Sequence, residues 1–148
     1  MSKFNIFLDS SALIAGAISE TGAAHVLLQI GESEDILLTV SEMVIVESER
    51  SVAKKSPPNL NDLRKLIKTA KLRIVNDPSR KEVEANLDLI EDPNDVPILL
   101  AAMKAKVDYL ATHNRRHFLD DPKVAERAGI RIGTPGDVLA WIRENLSS

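Results

Sequence analysis

A chain of 148 residues that is 44% hydrophobic and 28% charged can bury one core and is too apolar to stay disordered. It contains no cysteine, which excludes disulfides, zinc–thiolate sites and thiol catalysis and fits a reducing compartment. A net charge of −3 argues against a protein that coats nucleic acid through a bulk positive field, although it leaves a nuclease open, because several of the acids can belong to one cation site.

Along the chain, short apolar runs of strand length alternate with segments of helical period. Phe4 to Leu8 is the first run and ends at Asp9. It is too short for the apolar region of a signal peptide, and no stretch approaches the roughly 18 residues of a membrane span. The expectation is a single domain over residues 1–148, cytoplasmic and without a membrane segment. Gly22 to Ile30 carries Ala23, Val26, Leu27 and Ile30 at helical spacing. A strand over Ile36 to Val40 follows, then a helix over Ser41 to Ala53 that opens with an N-cap serine and an acid in its first turn. After the breaker Ser56-Pro57-Pro58-Asn59, Leu60, Leu63, Leu66 and Ile67 mark a third helix.

Leu72 to Val75 is a third strand, and Ser79 to Ile90, with Val83, Leu87 and Ile90 in register, predicts a fourth helix. Ile98, Leu99, Ala102 and Ala105 predict a fifth after Asp95, with Pro97 tolerated in its first turn. Val107 to Ala111 and Ile130 to Ile132 are the last two strands, and Thr134-Pro135-Gly136-Asp137 is a capping-box pattern that opens the final helix. His113 and His117 stand four apart, but Asn114-Arg115-Arg116 between them predicts a loop and no zinc-protease glutamate accompanies them. Asp120 and Asp121 read as a turn before Pro122. This alternation predicts an α/β fold, a three-layer α/β/α sandwich around a central, mainly parallel five-stranded sheet.

Sites in such sheets form at the carboxyl ends of strands. Asp9 directly follows the first strand, and Thr112-His113-Asn114 follows the fourth. Glu47 interrupts an apolar stretch of the helix leaving the second strand, and Asp95 stands at the start of the helix before the fourth. If the strand order reverses after the first strand, strands one and four become neighbours and bring Asp9 beside Asn114. Carboxylates about 5 Å apart repel by roughly 3 kcal/mol per pair at an effective dielectric near 20, which a divalent cation offsets. Oxygen donors without Cys or His favour Mg²⁺ or Mn²⁺, and such ions suit phosphodiester hydrolysis. Plainer readings stand beside this one: Asp9 as an N-cap, Glu47 as a solvated helix residue near Glu42 and Glu49, Asp92 in the place of Asp95, and Arg115, Arg116 and His117 as a solvated turn. With three Phe, one Tyr and one Trp, a base-stacking platform is not expected.

Four segments in order carry a resemblance: Phe7-Leu8-Asp9-Ser10-Ser11-Ala12-Leu13, Glu47 within its helix, Asp92-Pro93-Asn94-Asp95 leading into Leu100-Ala101-Ala102, and Tyr109-Leu110-Ala111-Thr112-His113-Asn114-Arg115-Arg116-His117-Phe118. Together with Thr134-Pro135 before the last helix, the chain resembles the PIN-domain family over essentially its whole length. The resemblance implies that Asp9, Glu47 and Asp95 hold Mg²⁺ or Mn²⁺ and that the chain is an endoribonuclease. The fourth family position, often Asp, is Asn114 here; an amide carbonyl can ligate but adds no charge, which weakens or removes a second metal position. Ser10 and Thr112 are then candidates to orient the acids through hydrogen bonds, and Arg115 and Arg116 to contact substrate phosphates. Many members are toxins of the VapC type, so the resemblance also implies an antitoxin partner and a homodimer. Two rivals remain: a degenerate domain that binds RNA or a protein without cutting it, supported by Asn114, and a phosphatase-like domain with Asp9 as nucleophile, disfavoured by Ser11 where a second aspartate would stand.

Overall fold

The computed structural model describes residues 3–146. Its five strands are β1 (Asn5–Leu8), β2 (Leu37–Ser41), β3 (Arg73–Val75), β4 (Tyr109–Ala111) and β5 (Arg131–Gly133), in the order β3-β2-β1-β4-β5 with every pairing parallel. β1 is central, and Ile6, Phe7 and Leu8 are buried, as expected of a parallel strand covered on both faces. The order reverses after β1, so Leu8 pairs with Ala111 and the residues that follow both strands emerge side by side.

The helices are α1 (Ser10–Ile18), α2 (Ala23–Glu32), α3 (Glu42–Lys55), α4 (Leu60–Thr69), α5 (Arg80–Glu84), α6 (Val96–Lys104), α7 (Pro122–Ala128) and α8 (Pro135–Leu146). Right-handed crossovers require α1 to α4 on one face of the sheet and α5 to α7 on the other, and the packing agrees: α1 contacts α2, α3 and α4, whereas α6 contacts α5 and α7. This is the three-layer sandwich expected. α8 packs on α2 and against β4 and β5, opened by the reciprocal bonds of Thr134 N–H to Asp137 Oδ2 (2.9 Å) and Asp137 N–H to Thr134 Oγ1 (3.1 Å). No single helix among the described residues is long and apolar enough to cross a membrane.

Three elements depart from the sequence reading. α1 was legible only as the N-cap alternative for Asp9, because Ala12, Leu13, Gly16 and Ala17 are all buried and a helix apolar on most sides shows no stripe. The fourth helix, expected to reach Ile90, ends at Glu84: the Asn86 side chain donates to the Glu82 carbonyl (2.7 Å) while its N–H turns to Val83 (3.0 Å), and this local competition replaces the helical ladder. Leu89 and Ile90 are still buried, but from turns. The turn expected at Asp120 and Asp121 is present, but it leads into a helix that the sequence reading did not assign, α7, capped by Asp121 Oδ1 on the Lys123 N–H (3.0 Å) and closed by Gly129 in the left-handed region at φ 69°.

At Gly16, α1 lies tight against α2. A Cβ there would collide with Leu28 Cδ1 and stand 3.2 Å from the Ala24 carbonyl oxygen. Gly16→Val is expected to destabilise the fold by about 1–3 kcal/mol through overpacking, which a thermal melt reads as a Tm lowered by roughly 2–4 °C per kcal/mol. An unchanged Tm would show that the two helices separate freely.

Candidate functional site

Asp9 continues β1 by donating its N–H to the Ala111 carbonyl (3.2 Å) and then becomes the N-cap of α1. Its carboxylate is buried at 5% exposure and held on both oxygens. Oδ1 accepts the Ala12 N–H (2.9 Å) and the Ser11 hydroxyl (2.6 Å), and Oδ2 accepts the Thr112 hydroxyl. Ser11 Oγ in turn accepts the His113 N–H (2.9 Å), and Thr112 Oγ1 accepts the Asn114 N–H (2.9 Å). The chain after β4 is thereby fastened to the start of α1. Burial pushes the Asp9 carboxyl above its ordinary range, and the Ser11, Thr112 and Ala12 donors pull it partly back. The N-cap reading of Asp9 is thus what the structure shows, and it leaves the buried carboxylate beside the end of β4.

Glu47 lies on α3 and is half-buried. Its Oε1 is buried with no hydrogen-bond partner among the described residues, an arrangement that costs free energy unless something else supplies a positive charge. Burial raises its carboxyl first, then the charges of Asp95 and Asp9, with Arg50 opposing and Asp77 adding. Beside Glu47 runs an open groove of about 570 Å³ bordered by Met43, Val46, Arg50, Pro93 and Pro97.

Asp95 ends the short turn Pro93–Asp95 that leads into α6. Burial raises its carboxyl, followed by the Asp92 charge; His117 lowers it and Asp9 raises it again. His117 Nδ1 stands 2.8 Å from Asp95 Oδ2 and 3.5 Å from Asp92 Oδ2. The 2.8 Å contact sets the ring against Asp95 Oδ2 and lowers its carboxyl, but it is poorly aligned, and no described residue gives this buried oxygen a well-formed hydrogen bond. Asp92, weighed against Asp95 from the sequence, faces the same ring through Oδ2 while its Oδ1 caps the turn on the Asn94 N–H (2.9 Å).

Beyond the effect of burial, the charge of Asp9 thus reaches both Glu47 and Asp95 and raises their carboxyls, along with Asp95 and Asp77 at Glu47 and Asp92 at Asp95, whereas Asp9 itself is raised by burial alone. The structure distributes the remaining expected residues differently. Ser10 opens α1 half-buried, and the hydroxyl on Asp9 belongs to Ser11, because the N-cap geometry turns the second helical residue back toward the cap. Asn114 Oδ1 accepts the His117 N–H (3.1 Å) and caps a widened π-type turn over Arg115–Leu119, where a loop was expected. Arg115 and Arg116 are exposed on that turn, and Arg50 is the arginine whose charge reaches Glu47. His117 was set aside as a zinc ligand; the missing signal was the Asn114 cap, with buried Phe118, which together rotate residue 117 toward Asp92 and Asp95.

Comparison with known proteins agrees with this architecture. The PIN domain model matches residues 5–116. No curated protein matches the chain. Among solved structures, PAE2754 from Pyrobaculum aerophilum superposes with a TM-score of 0.66 at 17% identity, covering 95% of this chain and 96% of that one. VapBC2 from Rickettsia felis, solved with a DNA fragment from its promoter, gives 0.64 at 16% identity over 88% of this chain and 98% of that chain. VapC20 from Mycobacterium tuberculosis, described as a toxin that cleaves the sarcin–ricin loop, gives 0.53 at 13% identity over 75% and 91% of the two chains. With five parallel strands in the order set out above, acids gathered at the carboxyl ends of the central strands, and a family match across most of its length, the chain belongs to the PIN domain family.

Proposed function

We propose that the chain is an endoribonuclease that works with Mg²⁺ or Mn²⁺ held by Asp9, Glu47 and Asp95. The observation that carries this reading is the convergence of three carboxyls from positions far apart in the sequence, two of them with a buried oxygen that has no well-formed hydrogen bond. Such a set is unfavourable alone and fits a hard divalent cation, to which carboxylate oxygens are the ordinary ligands. When bound, the cation supplies a Lewis acid that activates water and offsets the charge of a phosphodiester under attack. The protein's part is orientation. Ser11, Thr112 and the Ala12 N–H fix the Asp9 oxygens, and the open groove past Glu47 admits a nucleic-acid backbone, with Arg50 on its wall and Arg115 and Arg116 on the neighbouring turn as positions for phosphate contact.

Likeness to VapBC2 and VapC20 supports the toxin of a toxin–antitoxin pair, with an antitoxin protein as partner; a homodimer as the assembly and cytoplasmic RNA as the substrate complete the reading as proposals. The alternative, a domain that binds RNA or a partner without cutting, draws on the neutral Asn114, whose carbonyl oxygen already serves the turn after β4. Cleavage of structured and unstructured RNAs by the purified protein decides between them. Fragments are expected with Mg²⁺ or Mn²⁺ and none with excess EDTA. Intact RNA under every condition, together with measurable cation binding, would establish the binding-only reading.

A further inference from the structure

We propose that His117 completes the cation site in place of Asn114, giving it one imidazole nitrogen among carboxylate oxygens and a preference for Mn²⁺ over Mg²⁺. The inference rests on the carboxylate site of the preceding section and adds a donor that the resemblance did not imply.

The spacing is that of a ligand set. Asp92, Asp95 and His117 each offer one ligand atom, and these atoms lie within 4.8 Å of one another. Around one ion with ligands at about 2.1 Å, adjacent donor atoms stand roughly 3 Å apart. His117 Nδ1 is 2.8 Å from Asp95 Oδ2 and 3.5 Å from Asp92 Oδ2, so the three need little movement to share a cation. The two carboxylates are also disposed for it: Asp92 Oδ1 is occupied by the Asn94 N–H, which leaves Oδ2 toward the ring, and Asp95 Oδ2 is buried without a well-formed hydrogen bond.

The ring is placed by its own turn. The His117 N–H is held by Asn114 Oδ1, and the next residue, Phe118, is anchored in the core at 3% exposure. Asn114 therefore acts as a positioning residue: its oxygen fixes the backbone that carries the imidazole. Position 114 supplies no charge, and position 117 supplies the softer donor. Imidazole nitrogen binds first-row transition ions more readily than it binds Mg²⁺, which favours oxygen ligands and keeps its waters. The ordinary alternative, an imidazolium that only neutralises the two acids, predicts that a cation displaces His117.

Pulsed electron paramagnetic resonance of Mn²⁺ bound to the full chain separates the two. The expected spectrum shows ¹⁴N modulation from a directly coordinated imidazole, kept in His113→Gln and lost in His117→Gln. Calorimetry is expected to show His117→Gln weakening Mn²⁺ binding at least tenfold while Mg²⁺ binding changes by less than about threefold, so that the selectivity ratio collapses; ligand-supporting groups alone are worth about 10–100-fold. Mn²⁺ binding without ¹⁴N coupling in the parent protein would overturn the imidazole ligand and leave the carboxylate site standing. Absence of Mn²⁺ binding altogether would overturn both. The parental spectrum needs no variant, so a misfolded His117→Gln protein does not shelter the proposal.

Discussion

Asp9→Asn is expected to lower RNA cleavage on the order of a thousandfold or more while the protein still folds. A ligand that helps hold the cation contributes several kcal/mol to transition-state charge, and each 1.36 kcal/mol is tenfold in rate. Asparagine keeps the shape of the side chain and its acceptor for the Ala12 N–H and the Ser11 hydroxyl, so α1 keeps its cap. At the other branch an amide N–H₂ replaces Oδ2, and the Thr112 hydroxyl must accept where it now donates. It has the capacity, since Thr112 Oγ1 takes only the Asn114 N–H at present and a hydroxyl has two lone pairs. The measurement is kcat/KM on a cleaved RNA beside the circular dichroism melt of the same preparation. Parental activity in a folded Asp9→Asn protein would remove Asp9 from the site.

The second large effect is on stability and runs through the same acids. Asp9, Glu47 and Asp95 all have carboxyls raised above 3.8, 4.5 and 3.8 respectively. A raised acid binds its proton more tightly in the folded state than in the unfolded one. Its favourable contribution is therefore present at low pH and is lost as pH rises from the unfolded value through the folded one. Without a cation, the part of the stability due to these three groups should fall as pH rises above their ordinary carboxylate range near 4. Glu82, lowered to about 2 by Lys104 and the Ser79 cap, works in the opposite sense, but its window, from about 2 to 4.5, meets that of the raised acids only at their lower edge.

Mn²⁺ at a hundredfold excess over its Kd should add about 2.7 kcal/mol at pH 7, a Tm higher by roughly 5–10 °C for a domain of this size. Protonation competes with the ion, so the gain should shrink toward pH 5. Glu47→Gln removes a buried, donorless charge; it should raise the metal-free Tm at pH 7 and shrink the response to Mn²⁺. Differential scanning calorimetry across pH, with and without Mn²⁺, reads all of these. A metal-free Glu47→Gln protein less stable than the parent at pH 7 would mean that the carboxylate has a protein partner and is not waiting for a cation.

How much of this could be read from residues alone depends on how local each signal is. The parallel strands were legible because a strand buried on both faces is an uninterrupted apolar run, as at Ile6-Phe7-Leu8, whereas the reversal after β1 was a condition of the site reading that the observed strand order meets. Asp9 stood out by its place at a strand end, but the choice of Glu47 over Glu42 and Glu49, and of Asp95 over Asp92, came from the family resemblance and not from any local signal. What escaped was set by side-chain bonds that no periodicity displays. Asn86 folding back on Glu82 stopped α5, Ser11 took the hydroxyl role expected of Ser10, and Asn114 spent its oxygen on a π-type turn that carries His117 inward. A helix such as α1, apolar on most sides, has no stripe to find, and its cap was the only clue.

The hydroxyl chain from Ser11 through Asp9 to Thr112 joins positions 101 to 103 residues apart. Closing a loop of that size costs about 4 kcal/mol of chain entropy by the three-halves logarithmic rule, before any constant term, and nothing shorter brings β4 beside β1. A ribosome that has made the first two-thirds of the protein has therefore made no working centre. Asp9 has neither its Thr112 clasp nor the strand that delivers it until nearly the whole chain has emerged. The site is assembled late in synthesis and at one stroke, so an unfinished copy carries the acids without the frame that gathers them.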